Sequence, residues 1–577
     1  MKRKYSNDKA TLILLALLKA HGIRKVVASP GTTNIALVAS MQHDPWFEMY
    51  SSVDERSAAY IACGLATSSE ETVVITCTEA TASRNYFPGL TEAYYRKLPV
   101  LVITGTHGNN ITGHLHAQSI DRSQAPKDTI RFSISINPIM NKNDEWLTIV
   151  DVNKAILELY RHGGGPVHIN LHEATSAGFD TQELPKIRKI NRITYKNSFP
   201  SIKDIKSIII FIGSHKTFGS EETKLIERFC EIYNAAVCCD ITSGYHGKYK
   251  ILNALLACQT NQSKMKHPDL IIHLGEVSGE IYNTYRVYSK QTWRINEDGE
   301  IRDLYRNLTH IFEMDELTFF SNYTKGEKPQ TLSLDLYNYL YSTYTHLLSS
   351  IPQLPFSNLW IAQQLHSLLP KDSVLHTSIF NSLRSWNFFP VPDTITTNSN
   401  VGGFGIDGAL STLLGASLAQ PDKIHFGIIG DLAFFYDINA LGNRHIKPNI
   451  RILLINNGKG TEFRNYDHPA AAWGDDADHF MAAGGHFAKQ SPILVKAFAE
   501  ALGFTYLTAS SKHEFDNVKD LFTTPEYGSK PIIFEVFTDS EKESEAIRII
   551  RNIVKDERKF IEKLQNKAKS IAHRLTK

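Results

Sequence analysis

The chain has 577 residues, 42% hydrophobic and 21% charged, with 62 basic against 60 acidic side chains and a formal net charge of +2. Such a length outgrows one hydrophobic core and predicts two to four domains, while the composition excludes both a disordered chain and an assembly of membrane spans. No global field draws the protein to nucleic acid or to an anionic membrane, so its expected partners are small molecules.

The basic start followed by apolar Leu12 to Leu18 has the outline of a signal peptide. However, Asp8 and Lys9 intervene, and Lys19-Ala20-His21 stands where a small-residue cleavage site belongs, so the segment reads as a first amphipathic helix. The cysteines at 63, 77, 230, 238, 239 and 258 form no C-x-x-C pair and no metal-ligand spacing. They predict small core residues in a reducing, cytoplasmic compartment.

From Ile23 to Arg188 helical stretches alternate with short apolar strands at 25–29, 72–77, 99–104 and 166–171. Each strand runs into a loop bearing Gly, Ser or Thr, where open α/β sheets place ligands. The basic, polar stretch from Lys186 to Pro200 reads as a linker. A second strand–helix series follows at 207–213, 236–240 and 268–275 and ends near the polar segment from Asn322 to Asp335; a third carries strands at 423–431, 451–457 and 530–537.

The predicted fold is therefore α/β: three doubly wound domains with mainly parallel sheets, at 1–188, 200–330 and 350–540. A helical extension follows at 541–577. Its apolar residues at 547, 550, 554, 561, 564, 568, 571 and 575 make one stripe, which suits a helix packed on its own subunit as well as an oligomerising coiled coil.

Gly430-Asp431 ends one apolar strand and Asn456-Asn457 closes the next. A hard cation such as Mg²⁺ takes oxygen ligands, and Asp431, Asn457 and the Lys459 carbonyl supply a carboxylate, an amide oxygen and a backbone oxygen. Gly430 admits phosphates close to the backbone, and the helix start after Asp431 meets them with the positive end of its dipole. A Gly-Asp turn and an Asn-Asn-Gly turn are also ordinary loop chemistry, so further matches decide the reading. Glu55 opens a small-residue helix in Asp54-Glu55-Arg56-Ser57-Ala58-Ala59-Tyr60, and the glycine-rich run Asn400 to Gly408 carries Ile406 before another helix.

With Ser29-Pro30-Gly31 and the segment from Thr76 to Ala82, these motifs span nearly the whole chain. In that order they resemble the thiamine diphosphate-dependent enzymes, most closely the menaquinone-pathway synthases that join a decarboxylated 2-oxoglutarate to isochorismate. The resemblance implies a pyrimidine-binding, a central and a diphosphate-binding domain. It also implies thiamine diphosphate with Mg²⁺ or Mn²⁺, and a homodimer or homotetramer whose active sites form between subunits. The substrates it implies are a 2-oxo acid and a second acceptor. It places the cofactor against Pro30, Glu55, Thr78, Ile406, Gly430, Asp431, Leu432, Asn457, Lys459, Thr461, Glu462 and Phe463.

Within that scheme Glu55 hydrogen-bonds the aminopyrimidine ring and favours its imino tautomer. Ile406 wedges the cofactor into its bent form, and 461–466 form a lid over the thiazolium. Gln118 matches a glutamine that orders water or substrate near the reacting carbon. Where the menaquinone-pathway enzymes carry arginines, this chain reads Thr32-Thr33-Asn34, Gly105-Thr106-His107-Gly108 and Val401, which implies different substrates, because arginine holds carboxylates bidentately. His107, with His114 and His116 nearby, is then a general acid–base candidate. Arg464 is the candidate for a substrate carboxylate or phosphate, and Thr32, Thr33, Asn34, Asn381, Ser382 and Arg384 are further substrate contacts. A carboligase and a plain 2-oxo acid decarboxylase share all these residues; a third reading, a non-catalytic relative that keeps the fold, has Glu55, Asp431 and Asn457 against it. The middle domain shows no clear flavin motif.

Overall fold

The computed structural model describes residues 4–108, 111–122, 124–172, 178–259, 267–279, 288–329, 334–487 and 489–555. The chain divides into two compact units, Met1–Ser198 with Asp298–Glu313, and Phe199–Glu297 with Met314–Lys577.

In the first unit a six-stranded sheet runs in the spatial order Glu48–Ser51, Lys25–Ala28, Val73–Cys77, Val100–Thr106, Val167–His172, Phe132–Ile136. Every pairing in it is parallel. The inner strands are buried on both faces because helices cover both, which is why they read as unbroken Val/Ile runs. The edge strand Phe132–Ile136 alternates partly buried and exposed positions before buried Ile136, and Glu48–Ser51 is largely polar; neither gives an apolar run that stands out in the sequence. The helix Lys9–Ala20 begins where the Asp8 carboxylate accepts the Thr11 N–H at 2.8 Å. It buries Leu14, Leu15, Leu17 and Leu18, so the segment that resembles a signal peptide is core. The same unit also holds a short parallel pair, Asn191–Ile193 with Leu308–Phe312.

The second unit carries two sheets. One runs Lys250–Leu252, Ala235–Cys239, Ile208–Ile212, Leu270–Leu274, Gln291–Ile295, all parallel. The other runs Thr396–Ser399, Val374–Thr377, His425–Gly430, Ile450–Asn456, Ile532–Phe537, Thr505–Ala509, again all parallel. Read in chain order, its strands are arranged as in the six-stranded sheet of the first unit, two-one-three-four-six-five. The α/β class with mainly parallel sheets and interleaved helices is thus the observed one.

All six cysteines are buried and none is in a disulfide. The final described helix, Ser540–Arg551, turns Ala546, Ile547 and Ile550 into its own unit, where Gln259 Nε2 donates to the Ile550 carbonyl at 2.9 Å. The predicted apolar positions 561, 564, 568, 571 and 575 lie outside the described residues. No helix among the described residues is long and apolar enough to cross a membrane.

Candidate active site

A cavity of about 460 Å³ in the second unit opens at the carboxyl ends of the strands of its six-stranded sheet. Strand His425–Gly430 ends on its floor and delivers Asp431; the neighbouring strand Ile450–Asn456 delivers Asn457 and the loop through Lys459 to Phe463. Ile406 and Leu432 also line the cavity, as do Asn381 and Ser382 from the short helix Asn381–Trp386. Ile406 packs on the core cluster of Leu410, Leu413 and Phe434, so it is a fixed projection into the cavity.

Asp431 is 5% exposed. One carboxylate oxygen accepts the Leu432 N–H at 2.8 Å and the other the Gly458 N–H at 2.6 Å. Burial pushes its carboxyl up to about 6, against those two backbone donors. A buried carboxylate with no cationic partner is unfavourable, and a bound cation removes that penalty. The Asn457 side-chain oxygen is buried without a hydrogen-bond donor, as is the Thr461 hydroxyl. A Cβ added to Gly430 meets no protein atom, so the glycine faces open space. An acidic oxygen, an unclaimed amide oxygen and a bare glycine at a strand end therefore fit a hard cation bridging to a diphosphate.

In the first unit, Glu55 is the first residue of the helix Glu55–Ser69, capped by Asp54, and is half-buried. Its carboxylate accepts from the Asn85 amide at 3.3 Å. The loop after strand Lys25–Ala28 is stapled internally: Thr33 and Thr78 share a hydroxyl hydrogen bond of 2.8 Å, and the Asn34 amide donates to the Ser29 carbonyl at 3.1 Å. Thr33 and Asn34 are buried, while Thr32 is exposed. His107 is partly exposed, with its ring nitrogen 3.4 Å from Glu79. Gln118, with His114 and His116, is exposed, and its φ of 66° lies in the left-handed region.

Residues 8–125 match the family described as thiamine pyrophosphate enzyme, N-terminal TPP binding domain, and residues 380–531 match thiamine pyrophosphate enzyme, C-terminal TPP binding domain. The chain is 31% identical over 562 residues to the 2-succinyl-5-enolpyruvyl-6-hydroxy-3-cyclohexene-1-carboxylate synthase of Bacteroides thetaiotaomicron, covering 94% of this chain and 98% of the relative. The proteins of the same name from Phocaeicola vulgatus and Desulfotalea psychrophila are 30% and 28% identical, over 94% and 91% of this chain and 98% and 97% of their own lengths. This chain belongs to the thiamine pyrophosphate enzyme family.

In this thiamine pyrophosphate enzyme, the arginines expected to meet substrate, Arg464 and Arg384, are already matched by carboxylates, as are Lys459 and Arg122. Arg464 lies outside the cavity lining, directed to the Gly474 carbonyl and paired with Asp475 at 3.0 Å and Asp478 at 3.1 Å. Lys459 Nζ is 2.5 Å from Asp478. Arg384 pairs with Glu462. In the first unit, Arg122 donates to Glu79 at 3.3 Å and to the Gly105 carbonyl at 3.2 Å.

The sequence reading passed over the partnership of Glu79 with Arg122. Glu79 is 2% exposed and also accepts from Thr106 Oγ1 at 3.0 Å. Its signal was present: it is the lone acidic residue among small residues at a strand end, where burial without a partner is costly. Ser378, Phe380, Phe404 and His468 also line the cavity and were likewise not singled out.

Proposed function

We propose that this chain is a thiamine diphosphate- and Mg²⁺-dependent enzyme that decarboxylates a 2-oxo acid and transfers the resulting acyl carbanion to an acceptor. The observation that carries the reading is the cavity in which buried Asp431 and the unclaimed Asn457 oxygen face open space beside Gly430. The carboligase outcome, over plain decarboxylation, is supported by the printed name of the relatives, a synthase.

Asp431, the Asn457 amide oxygen and the Lys459 carbonyl would hold the metal, which would supply positive charge for the cofactor's diphosphate. Ile406, which projects into the cavity, would position the cofactor, while Leu432, Thr461 and Phe463 would wall it from water. The cofactor, when bound, supplies the electron sink that makes a carbanion next to a carbonyl accessible. Pro30 and Thr78 shape the pyrimidine pocket, and Glu55 holds a proton against the ring nitrogen. Gln118 orders a polar group near the reacting carbon, and His107 serves as general acid or base.

The assembly is a homodimer or homotetramer in which Glu55 and Asp431 of one site come from different subunits. Its regions are a pyrimidine-binding region at 1–188, a central region at 200–330, a diphosphate region at 350–540 and an extension at 541–577, in a cytoplasmic protein. The test is incubation with thiamine diphosphate, Mg²⁺ and a panel of 2-oxo acids, singly and with aldehyde or enoate acceptors. Release of CO₂ with a joined product supports the carboligase, release of CO₂ with free aldehyde alone replaces it with a decarboxylase, and no CO₂ from any member overturns both.

A further inference from the structure

Glu462 is the one residue of the cavity lining whose carboxylate is held by three side chains at once. Arg384 pairs with it, the Asn465 amide donates to Glu462 Oε2 at 3.2 Å, and the Asn381 amide, with its nitrogen toward the carboxylate, donates to the same oxygen at 3.0 Å. The Asn381 oxygen in turn accepts the Glu462 N–H at 3.2 Å. Both charged partners are shielded, with side chains 18% exposed for Arg384 and 21% for Glu462. The guanidinium also lies over the Phe380 ring, 5.5 Å from its centroid, and Phe380 stands edge-on to Phe404 across the cavity wall. The result is a fixed anion at the cavity wall that occupies the guanidinium behind it.

Arginine is the side chain best suited to grip a carboxylate, because its planar fork offers two parallel donors. Here one of them, Arg384 Nη1, is committed to Glu462 Oε1, and the other cations beside the cavity, Lys459 and Arg464, are turned to Asp478 and Asp475. An incoming carboxylate would have to displace Glu462 from a partly desolvated pair while facing its negative charge, and like charges in such a place exclude a ligand more effectively than lost contacts do.

We propose that Glu462, by sequestering Arg384, is a specificity-determining residue that makes the cavity select substrates whose group at this wall is uncharged and hydrogen-bonding, such as a hydroxyl, carbonyl or amide, and reject a second carboxylate. This rests on the cofactor-site reading above and names the substrate class that the site accepts.

The test uses the full-length protein loaded with thiamine diphosphate and Mg²⁺, with succinate and its neutral isostere succinamide as calorimetric probes. Wild type is expected to bind succinate no better than succinamide. Glu462→Gln keeps an oxygen for the two amides and releases the guanidinium, so its affinity for succinate should rise about tenfold to a hundredfold, the value of a charge-assisted pair. Adding Arg384→Gln should abolish that gain. Tighter binding of succinate than of succinamide by wild type overturns the proposal. So does an absent gain in Glu462→Gln, or one that survives Arg384→Gln. If the amide variant melts early, Glu462→Ala takes its place in the same comparison. Cofactor affinity, recorded in each titration, and CO₂ release by wild type report separately on the proposed function.

Discussion

Asp431 Oδ2 accepts the Gly458 N–H at 2.6 Å, so the carboxylate that follows one parallel strand is locked by the loop that follows its neighbour. That bond fixes the orientation of the acid, and among the described residues no cationic side chain is paired with it. Asp431→Ala is therefore expected to abolish Mg²⁺-dependent binding of thiamine diphosphate, and Asn457→Ala to weaken it less, because only a neutral ligand is lost. Titration calorimetry with and without Mg²⁺ checks both; unchanged affinity in Asp431→Ala removes the metal assignment.

Among the described residues the Asn85 amide is the one hydrogen-bond partner of the Glu55 carboxylate, an arrangement that leaves the carboxyl available to a ring nitrogen. Glu55→Gln should retain most cofactor affinity and slow hydrogen–deuterium exchange at the thiazolium carbon by about a hundredfold to ten-thousandfold, the usual worth of a positioned acid–base group. Quenched-flow NMR reads that exchange without knowledge of the substrate. Exchange as fast as wild type would reduce Glu55 to the start of a helix.

In the proposed assembly one cofactor is shared between Glu55 and Asp431 of different subunits, and such sharing would make cofactor binding favour the assembled state by mass action. Sedimentation velocity across a dilution series should show dissociation shifting to lower protein concentration when thiamine diphosphate and Mg²⁺ are added. A cofactor-loaded, active monomer would refute the shared site.

A Cβ on Gly105 would lie 2.0 Å from the Thr33 carbonyl oxygen and 2.4 Å from its carbon, atoms of backbone that have no room to move aside. Gly105→Ala should lower stability by about 1–3 kcal/mol and displace the loop carrying Thr32 to Asn34. Denaturant unfolding monitored by circular dichroism measures the cost, and an unchanged midpoint would show that the two strand-end loops are not in contact.

His168 sits fully buried between Thr104 Oγ1 at 2.7 Å and Ser133 Oγ at 2.9 Å, and burial pushes its imidazole down to about 3. Below the ordinary histidine value of 6.5 the unfolded chain takes up a proton that the folded chain refuses. Stability from this site is thus complete above pH 6.5 and falls toward pH 3 at about 1.4 kcal/mol per pH unit. His168→Gln should be less stable than wild type at pH 7.5, with the gap narrowing by about 2 kcal/mol at pH 5. Unfolding at the two pH values tests this, and a gap of constant size would show that the imidazole titrates alike in both states.

The sequence alone determined most of the inner strands, though not the short Val374–Thr377, and the loop chemistry at their ends. A strand buried on both faces must be an apolar run, and Asp431 and Asn457 each follow such a run directly, so short-range text suffices to find them. The resemblance of the motifs in their order then led to the family. Edge strands such as Thr396–Ser399 and Thr505–Ala509 escaped, because half-exposed strands carry polar residues and lose the apolar signature. Charge pairing was decided only by the tertiary structure. Arg464 carries the same positive charge in any sequence reading, but folding turns it to Asp475 and Asp478, away from the cavity. Arg384 and Glu462 meet across 78 residues, and Glu79 and Arg122 across 43. A cation's partner depends on which loops the sheets bring together, and on the cost of burying either charge alone; neither is written in the spacing of residues along the chain.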